Sequence, residues 1–93
     1  MIRSFREGAT EAVWNLTFAK GIGNEVVKAA RKKMQILDAA GSIQDLRVPP
    51  GNRLEKLRGD REGQHSIRVN DQYRICFTWE DGGAEQVELT DYH

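Results

Sequence analysis

Apolar and polar positions alternate most cleanly in "HSIRVNDQYRICFTW", from His65 to Trp79. Ile67 and Val69 alternate with Ser66 and Arg68, and Tyr73, Ile75, Phe77 and Trp79 alternate with Arg74, Cys76 and Thr78. A period of two predicts two half-buried strands, joined around Asn70-Asp71-Gln72. A shorter loop would set Ile67 against Arg74. A loop of Asn70 to Gln72 pairs Val69 with Tyr73, Ile67 with Ile75 and Arg68 with Arg74, so the apolar set stays on one face. That register places two arginines opposite each other on the outer face, an arrangement unfavourable by up to ~1 kcal/mol. An anion between them removes the penalty, as does splaying into water or meeting Glu55 or Asp91.

The flanking pattern fills in the rest. Ile2 to Phe5 reads as a short strand, and Thr10 to Lys20 as a helix closed by Gly21. Asn24 is placed to cap a second helix, in which Val27, Ala30, Met34 and Leu37 fall at i, i+3, i+7 and i+10. Lys28, Arg31, Lys32, Gln35 and Asp38 take the other side, and Gly41 ends the helix. The Met34 stripe is core, and the Lys28-Arg31-Lys32-Lys33 run is a solvated face. "RVPPGNR" can neither extend a helix nor sit in a central strand. Within "RLEKLRGDREG" part reads as a strand and Gly59 to Gly63 as a turn.

Glu80 to Gly83 is a hairpin turn into a last strand, Ala84 to Thr90, with Val87 and Leu89 inward. Strict alternation would carry Asp91 and His93 into the core. The strand is therefore expected to bend, bulge or leave the sheet near Thr90, freeing Asp91, Tyr92 and His93. Two helices followed by antiparallel strands make an α+β fold, with the helices on one face of a small sheet. Arg68 and Arg74 belong to the opposite face.

Composition narrows the class. With 93 residues the chain has room for a single domain, residues 1–93, and one modest core. No apolar run is long enough to span a membrane, and the start lacks the apolar stretch of a signal peptide. One cysteine, Cys76, permits no internal disulfide, and with His65 and His93 it cannot build a structural zinc site. A cytoplasmic protein without metal or cofactor is expected. The net charge of +0 conceals an asymmetry. Arg47, Arg53, Lys56, Arg58, Arg61, Arg68 and Arg74 outnumber the acids between them, whereas Glu80 to His93 holds acids and no Lys or Arg. A polyanion responds to regional charge, not to the total.

"PPGNRLEKLRGDREGQHSIRVNDQYRICFTW" followed by the terminal "DYH", with "MIRSF" at the start, resembles the HigB branch of the RelE-like toxins of bacterial toxin–antitoxin pairs. The resemblance covers nearly the whole chain. It implies a small twisted antiparallel sheet with two N-terminal helices, and an endoribonuclease that cleaves mRNA on the ribosome. It also implies silencing by a HigA-like helix-turn-helix antitoxin, through which alone operator DNA is reached. By the same resemblance Arg74 matches an arginine of the active groove and Arg58 a lysine or arginine. Asp91, Tyr92 and His93 match a terminal cluster, and Tyr73 an aromatic position. Where some relatives carry a histidine this chain has Glu55, so a second imidazole is missing there. Arg53, Lys56, Arg61 and Arg68 are candidate contacts to RNA or ribosome.

Metal-free RNA cleavage needs a base for the 2′-hydroxyl, cations for the phosphate oxygens and an acid for the leaving 5′-oxygen. Arginine suits the second task because its planar fork offers parallel hydrogen bonds to phosphate. Arg74 is the leading candidate, with Arg58 beside it. His93, with an ordinary pKa of about 6.5, can exchange protons near neutrality. The terminal carboxylate and Asp91 favour its charged form, which leans towards an acid or a phosphate contact. Asp91 can orient it or act as base, and Tyr92 can stack on a nucleobase. The sequence does not separate the roles within this trio. Two other readings stay open: a toxin of the same fold that poisons DNA gyrase without nuclease residues (the ParE type), and a co-repressor module that only holds an antitoxin.

Overall fold

The computed structural model describes residues 1–17 and 21–91. Its elements run in the order helix α1 (Gly8–Trp14), helix α2 (Asn24–Ala39), strand β1 (Glu55–Lys56), β2 (His65–Arg68), β3 (Tyr73–Glu80) and β4 (Gly83–Asp91). Short 3-10 turns occupy Ile43–Arg47, Pro50–Asn52 and Gly59–Arg61. The strands form one antiparallel sheet in the order β1-β2-β3-β4.

The apolar pattern sets the register. Ile67 faces Ile75 and Arg68 faces Arg74, as the alternation requires. Ile67, Ile75, Phe77 and Val87 are fully buried on the sheet's inner face, against Val13, Ala30, Met34 and Leu37 of the helices. Each such side chain contributes roughly 1.5–3 kcal/mol on leaving water. The β3–β4 hairpin turns through Asp81 (φ 49°) and Gly82 (φ 77°), the left-handed pair that matches strand twist.

Several elements differ from the sequence reading. Ile2–Phe5 is not an independent strand: Ile2 bridges Ala84 and Phe5 bridges Val87, both in parallel. Arg3 N donates to Ala84 O (2.8 Å) and Val87 N to Ser4 O (3.0 Å), so this segment covers the outer edge of β4. Helix α1 is shorter than Thr10 to Lys20. It begins at Gly8 and ends at Trp14, and Leu16 already sits at φ 58°. Residues 18–20 of the expected span lie outside the described residues. Asn24 is the first residue of α2 rather than its cap; Gly23 takes that place, with no side-chain cap bond.

The largest correction concerns β4, which stays paired through Thr90 and Asp91 instead of bending there. The irregularity lies earlier, opposite the Cys76–Thr78 stretch of β3, where Gln86 takes φ 54°. The reason is packing. Strict alternation would separate Ala84 from Val87 and Leu89. The extra residue at Gln86 rephases the strand so that all three are buried inward.

The outer face of the sheet is also not bare. The loop from Leu57 to Gln64 closes on itself through Leu57 N to Gln64 O (2.9 Å). Arg61 from this loop reaches across to Glu88 on β4, Nη1 to Oε1, at 2.8 Å. Ser66 and Cys76 are fully buried there, and Arg74 is only 9% exposed.

Candidate functional site

Arg74 lies on the central strand, on the outer face, near the end of the sheet where β1 begins and β4 finishes. Its guanidinium is fixed at two points. Nε donates to the Ser66 hydroxyl on β2 at 2.7 Å. Nη2 donates to the Arg53 carbonyl at 2.7 Å and, longer, to the Ser66 carbonyl at 3.4 Å. Two anchored nitrogens define the plane of the fork. Nη1 has no hydrogen-bond partner among the described residues.

The electrostatics of Arg74 differ from those of its neighbours. All its hydrogen bonds go to neutral oxygens. The nearest carboxylate is Glu55 Oε1, 4.0 Å from Nη2 and more than half exposed. A buried positive charge is thus oriented by dipoles, and its ion pair with Glu55 is long, at 4.0 Å, and open to solvent on the carboxylate side. Such a group is suited to an incoming anion, because preorganised donors cost no rearrangement when charge arrives.

The other expected site residues fall into three groups. Glu55, Arg53, Arg68 and Tyr73 gather with Arg74 at one end of the sheet. Arg68 faces Arg74 across the strands; Arg68 pairs with Asp71 and Arg74 meets Glu55 at 4.0 Å, one of the arrangements that eases the repulsion. Tyr73 is half-buried against the core and faces Asp91 in register. Asp91 is exposed and accepts from Gln72 Nε2 at 3.1 Å. Because β4 holds its pleat, Asp91 lies on the inner face, beside Arg74 in the sheet but on the opposite side. Tyr92 and His93 lie outside the described residues.

Lys56 and Arg58 form the second group. With Leu57, Gly59 and Glu62 they line a half-open hollow of about 330 Å³. No hydrogen bond or ion pair joins Arg58 to Arg74 among the described residues. Arg61, the third case, is committed to Glu88 and to Gln64 Oε1 (3.1 Å), ties that fasten the loop over the sheet. Arg61 therefore holds the covering in place.

Two residues important to this geometry carry little signal in the sequence. Ser66 shares the outer face with Arg74 by simple alternation, so the pattern pointed to it, but a serine carries no charge to attract notice. Asn52 is fully buried in the Pro50–Asn52 turn and has no periodic signal at all. His65 sits on the inner face with Ile67, as parity predicts, and its ring stacks on Phe77 at 6.2 Å. Its Nδ1 is buried without a hydrogen-bond partner among the described residues. Burial, then the charge of Lys56, lowers its pKa below 6.5. Among the described residues, no group of three or more His, Cys, Asp or Glu side chains is arranged to hold a metal ion. Among the described residues no helix is long and apolar enough to cross a membrane.

A small antiparallel sheet with two helices on its inner face is a fold shared with known proteins. Residues 3–93 match the family described as the RelE-like toxin of the type II toxin–antitoxin system HigB, and the chain belongs to that family. It is 52% identical over 68 residues to Toxin HigB-1 of Vibrio cholerae, covering 73% of this chain and 72% of that protein. It is 31% identical to Endoribonuclease HigB of Proteus vulgaris over the full length of both chains. Among solved structures, the YoeB–YefM complex from Staphylococcus aureus contains a chain that superposes with a TM-score of 0.64 at 18% identity, covering 100% of this chain and 98% of that one. That likeness concerns the fold.

Proposed function

We propose that this chain is the toxin of a type II toxin–antitoxin pair and acts as a ribosome-dependent, metal-free endoribonuclease on mRNA. The observation that carries the reading is Arg74: a guanidinium buried on a rigid strand, aimed by Ser66 and Arg53, with only a long, half-exposed ion pair to Glu55. In the reaction the 2′-oxygen loses its proton to a base and attacks the adjacent phosphorus. Negative charge grows on the non-bridging oxygens, and the 5′-oxygen leaves with a proton from an acid. Arg74 meets the growing charge, and Arg58, which lines the hollow with Lys56, is the second cation of the reading. His93 is left to supply the proton transfers and Tyr92 a stacking surface, because Asp91 lies on the inner face, away from the Arg74 guanidinium. Arg53, Lys56, Arg68 and Tyr73 contact the RNA or ribosome around them.

The relative from Proteus vulgaris bears the name endoribonuclease, and the Staphylococcus aureus neighbour is a toxin with its antitoxin. By extension the partner here is a HigA-like helix-turn-helix antitoxin, operator DNA is reached only through it, and the site of action is the cytoplasm. The test is induction of the chain in growing cells, followed by primer extension along abundant mRNAs. Discrete cuts within translated frames, lost in an Arg74→Ala variant, support the reading. Intact mRNA accompanied by DNA breaks would instead identify a gyrase poison.

A further inference from the structure

Behind Arg74 stands a second set of contacts, centred on Asn52 and Lys33, neither of which is expected to meet RNA. Asn52 is fully buried and all its polar valences point inward. Its Nδ2 donates to the carbonyls of Leu46 and Val48, each at 3.2 Å. Its Oδ1 accepts from Lys33 Nζ at 2.7 Å, a bond that reaches from helix α2. The next residue, Arg53, holds the left-handed conformation (φ 45°, ψ 56°) without being glycine. Its carbonyl receives Arg74 Nη2 at 2.7 Å.

We infer that Lys33 and Asn52 are positioning residues for cleavage: they lock the Pro50–Arg53 turn so that the Arg53 carbonyl holds the Arg74 guanidinium in the plane that receives the phosphate. The inference rests on the reading of Arg74 given above and extends it to residues remote from the RNA. A side chain other than glycine stays in the left-handed region only where its surroundings over-determine it. Here the turn is held on one side by Arg53 N to Pro50 O (3.1 Å) and on the other by the saturated Asn52 amide. Without the Asn52 bonds the peptide after it relaxes towards ordinary dihedrals, and the carbonyl turns away from Nη2. Ser66 alone then holds Arg74, and one point leaves the fork free to swing.

The position of Lys33 fits a bond kept for a purpose. Its ammonium is pressed by partial burial and by the charges of Lys32 and Arg68, all of which lower its pKa from the ordinary 10.5. The Asn52 oxygen is its one hydrogen-bond partner among the described residues.

The experiment compares Lys33→Met and Asn52→Ala with Lys32→Met, which removes the same charge one residue away without touching Asn52. Two readouts are taken on the purified full chain: the Arg74 Nε–H signal by ¹⁵N NMR, and kcat and KM for mRNA cleavage on programmed ribosomes. In Lys33→Met the Nε–H signal should shift and exchange faster with water. Its kcat should fall roughly 10- to 100-fold with KM little changed, because misaimed groups lose transition-state contacts first. Lys32→Met should match the parent in both readouts. If Asn52→Ala does not fold, Lys33→Met, at a half-buried position, carries the test. An unaltered Nε–H signal in Lys33→Met overturns the inference, as does a raised KM with kcat retained, which would make Lys33 an RNA contact. Arg74→Ala separates the two levels. If it abolishes cleavage while Lys33→Met does not alter it, only the positioning role fails. If Arg74→Ala cleaves normally, the reading of Arg74 falls, and the positioning role with it.

Discussion

Arg74 and Ser66 lie on neighbouring strands and the same face of the sheet, and the Arg74 Nε donates to the Ser66 hydroxyl at 2.7 Å. Both are buried, so the bond is shielded from competing water. A long flexible side chain thereby becomes a fixed donor. Ser66→Ala should therefore lower the cleavage rate about tenfold, by analogy with lost oxyanion-type support, with ribosome affinity retained. It should also cost about 1–3 kcal/mol of stability, because a buried N–H of a charged group loses its acceptor. Single-turnover cleavage and urea unfolding check the two effects separately.

Arg3 gives a prediction independent of function. Its Nη1 and Nη2 donate to the carbonyls of Glu80 (3.0 Å) and Asp81 (2.7 Å), closing the β3–β4 turn from outside. It passes directly over Gly83, where an added Cβ would lie 2.7 Å from Arg3 Cζ. Gly83→Ala should push the guanidinium off the turn and destabilise by about 1 kcal/mol, as should Arg3→Ala. The double variant should be little worse than either alone, because both remove the same two bonds. A double-mutant cycle by urea titration measures this coupling.

His65 predicts how stability follows pH. Its pKa is lowered in the folded state, chiefly by burial, so the unfolded chain binds its proton more readily. The stability associated with His65 is complete above the ordinary value near 6.5 and falls as pH drops through the lowered folded value. His65→Phe should remove that portion of the acid sensitivity. It should also raise Tm at neutral pH, since it discards a buried nitrogen without a partner and keeps the ring stacked on Phe77. Calorimetric Tm values for both proteins across pH 5 to 8 are the check, with no difference in slope as the contrary result.

The inner face of the sheet was legible because packing alone dictates it. Ile67, Ile75 and Phe77 fix a register that no other pairing satisfies, and Val27, Ala30, Met34 and Leu37 fix the facing stripe of α2. Features set by one residue were not legible. The bulge at Gln86 answers to the positions of Ala84 and Val87 together, whereas alternation counted from Val87 and Leu89 raises a conflict only at Asp91 and His93. The parallel bridges of Ile2 and Phe5 join the two ends of the chain and leave no local trace.

For the site, charge pointed to Arg74 and alternation gave it the correct face. What covers that face comes from a turn-rich loop without periodicity, so the burial of Arg74 leaves no trace in the pattern. Ser66 and the backbone carbonyl of Arg53 hold it through neutral oxygens, and neutral oxygens leave no charge pattern to follow.

The most direct measurement is single-turnover cleavage of ribosome-bound mRNA by the parent chain and by Arg74→Ala and Arg74→Lys, each shown to be folded by circular dichroism. Lysine keeps the charge but cannot bond Ser66 and Arg53 at once while facing a phosphate. The account predicts a loss of about 10²–10³ in rate for alanine and nearly as much for lysine, with ribosome binding maintained. Cleavage at the parental rate by either folded variant would contradict it.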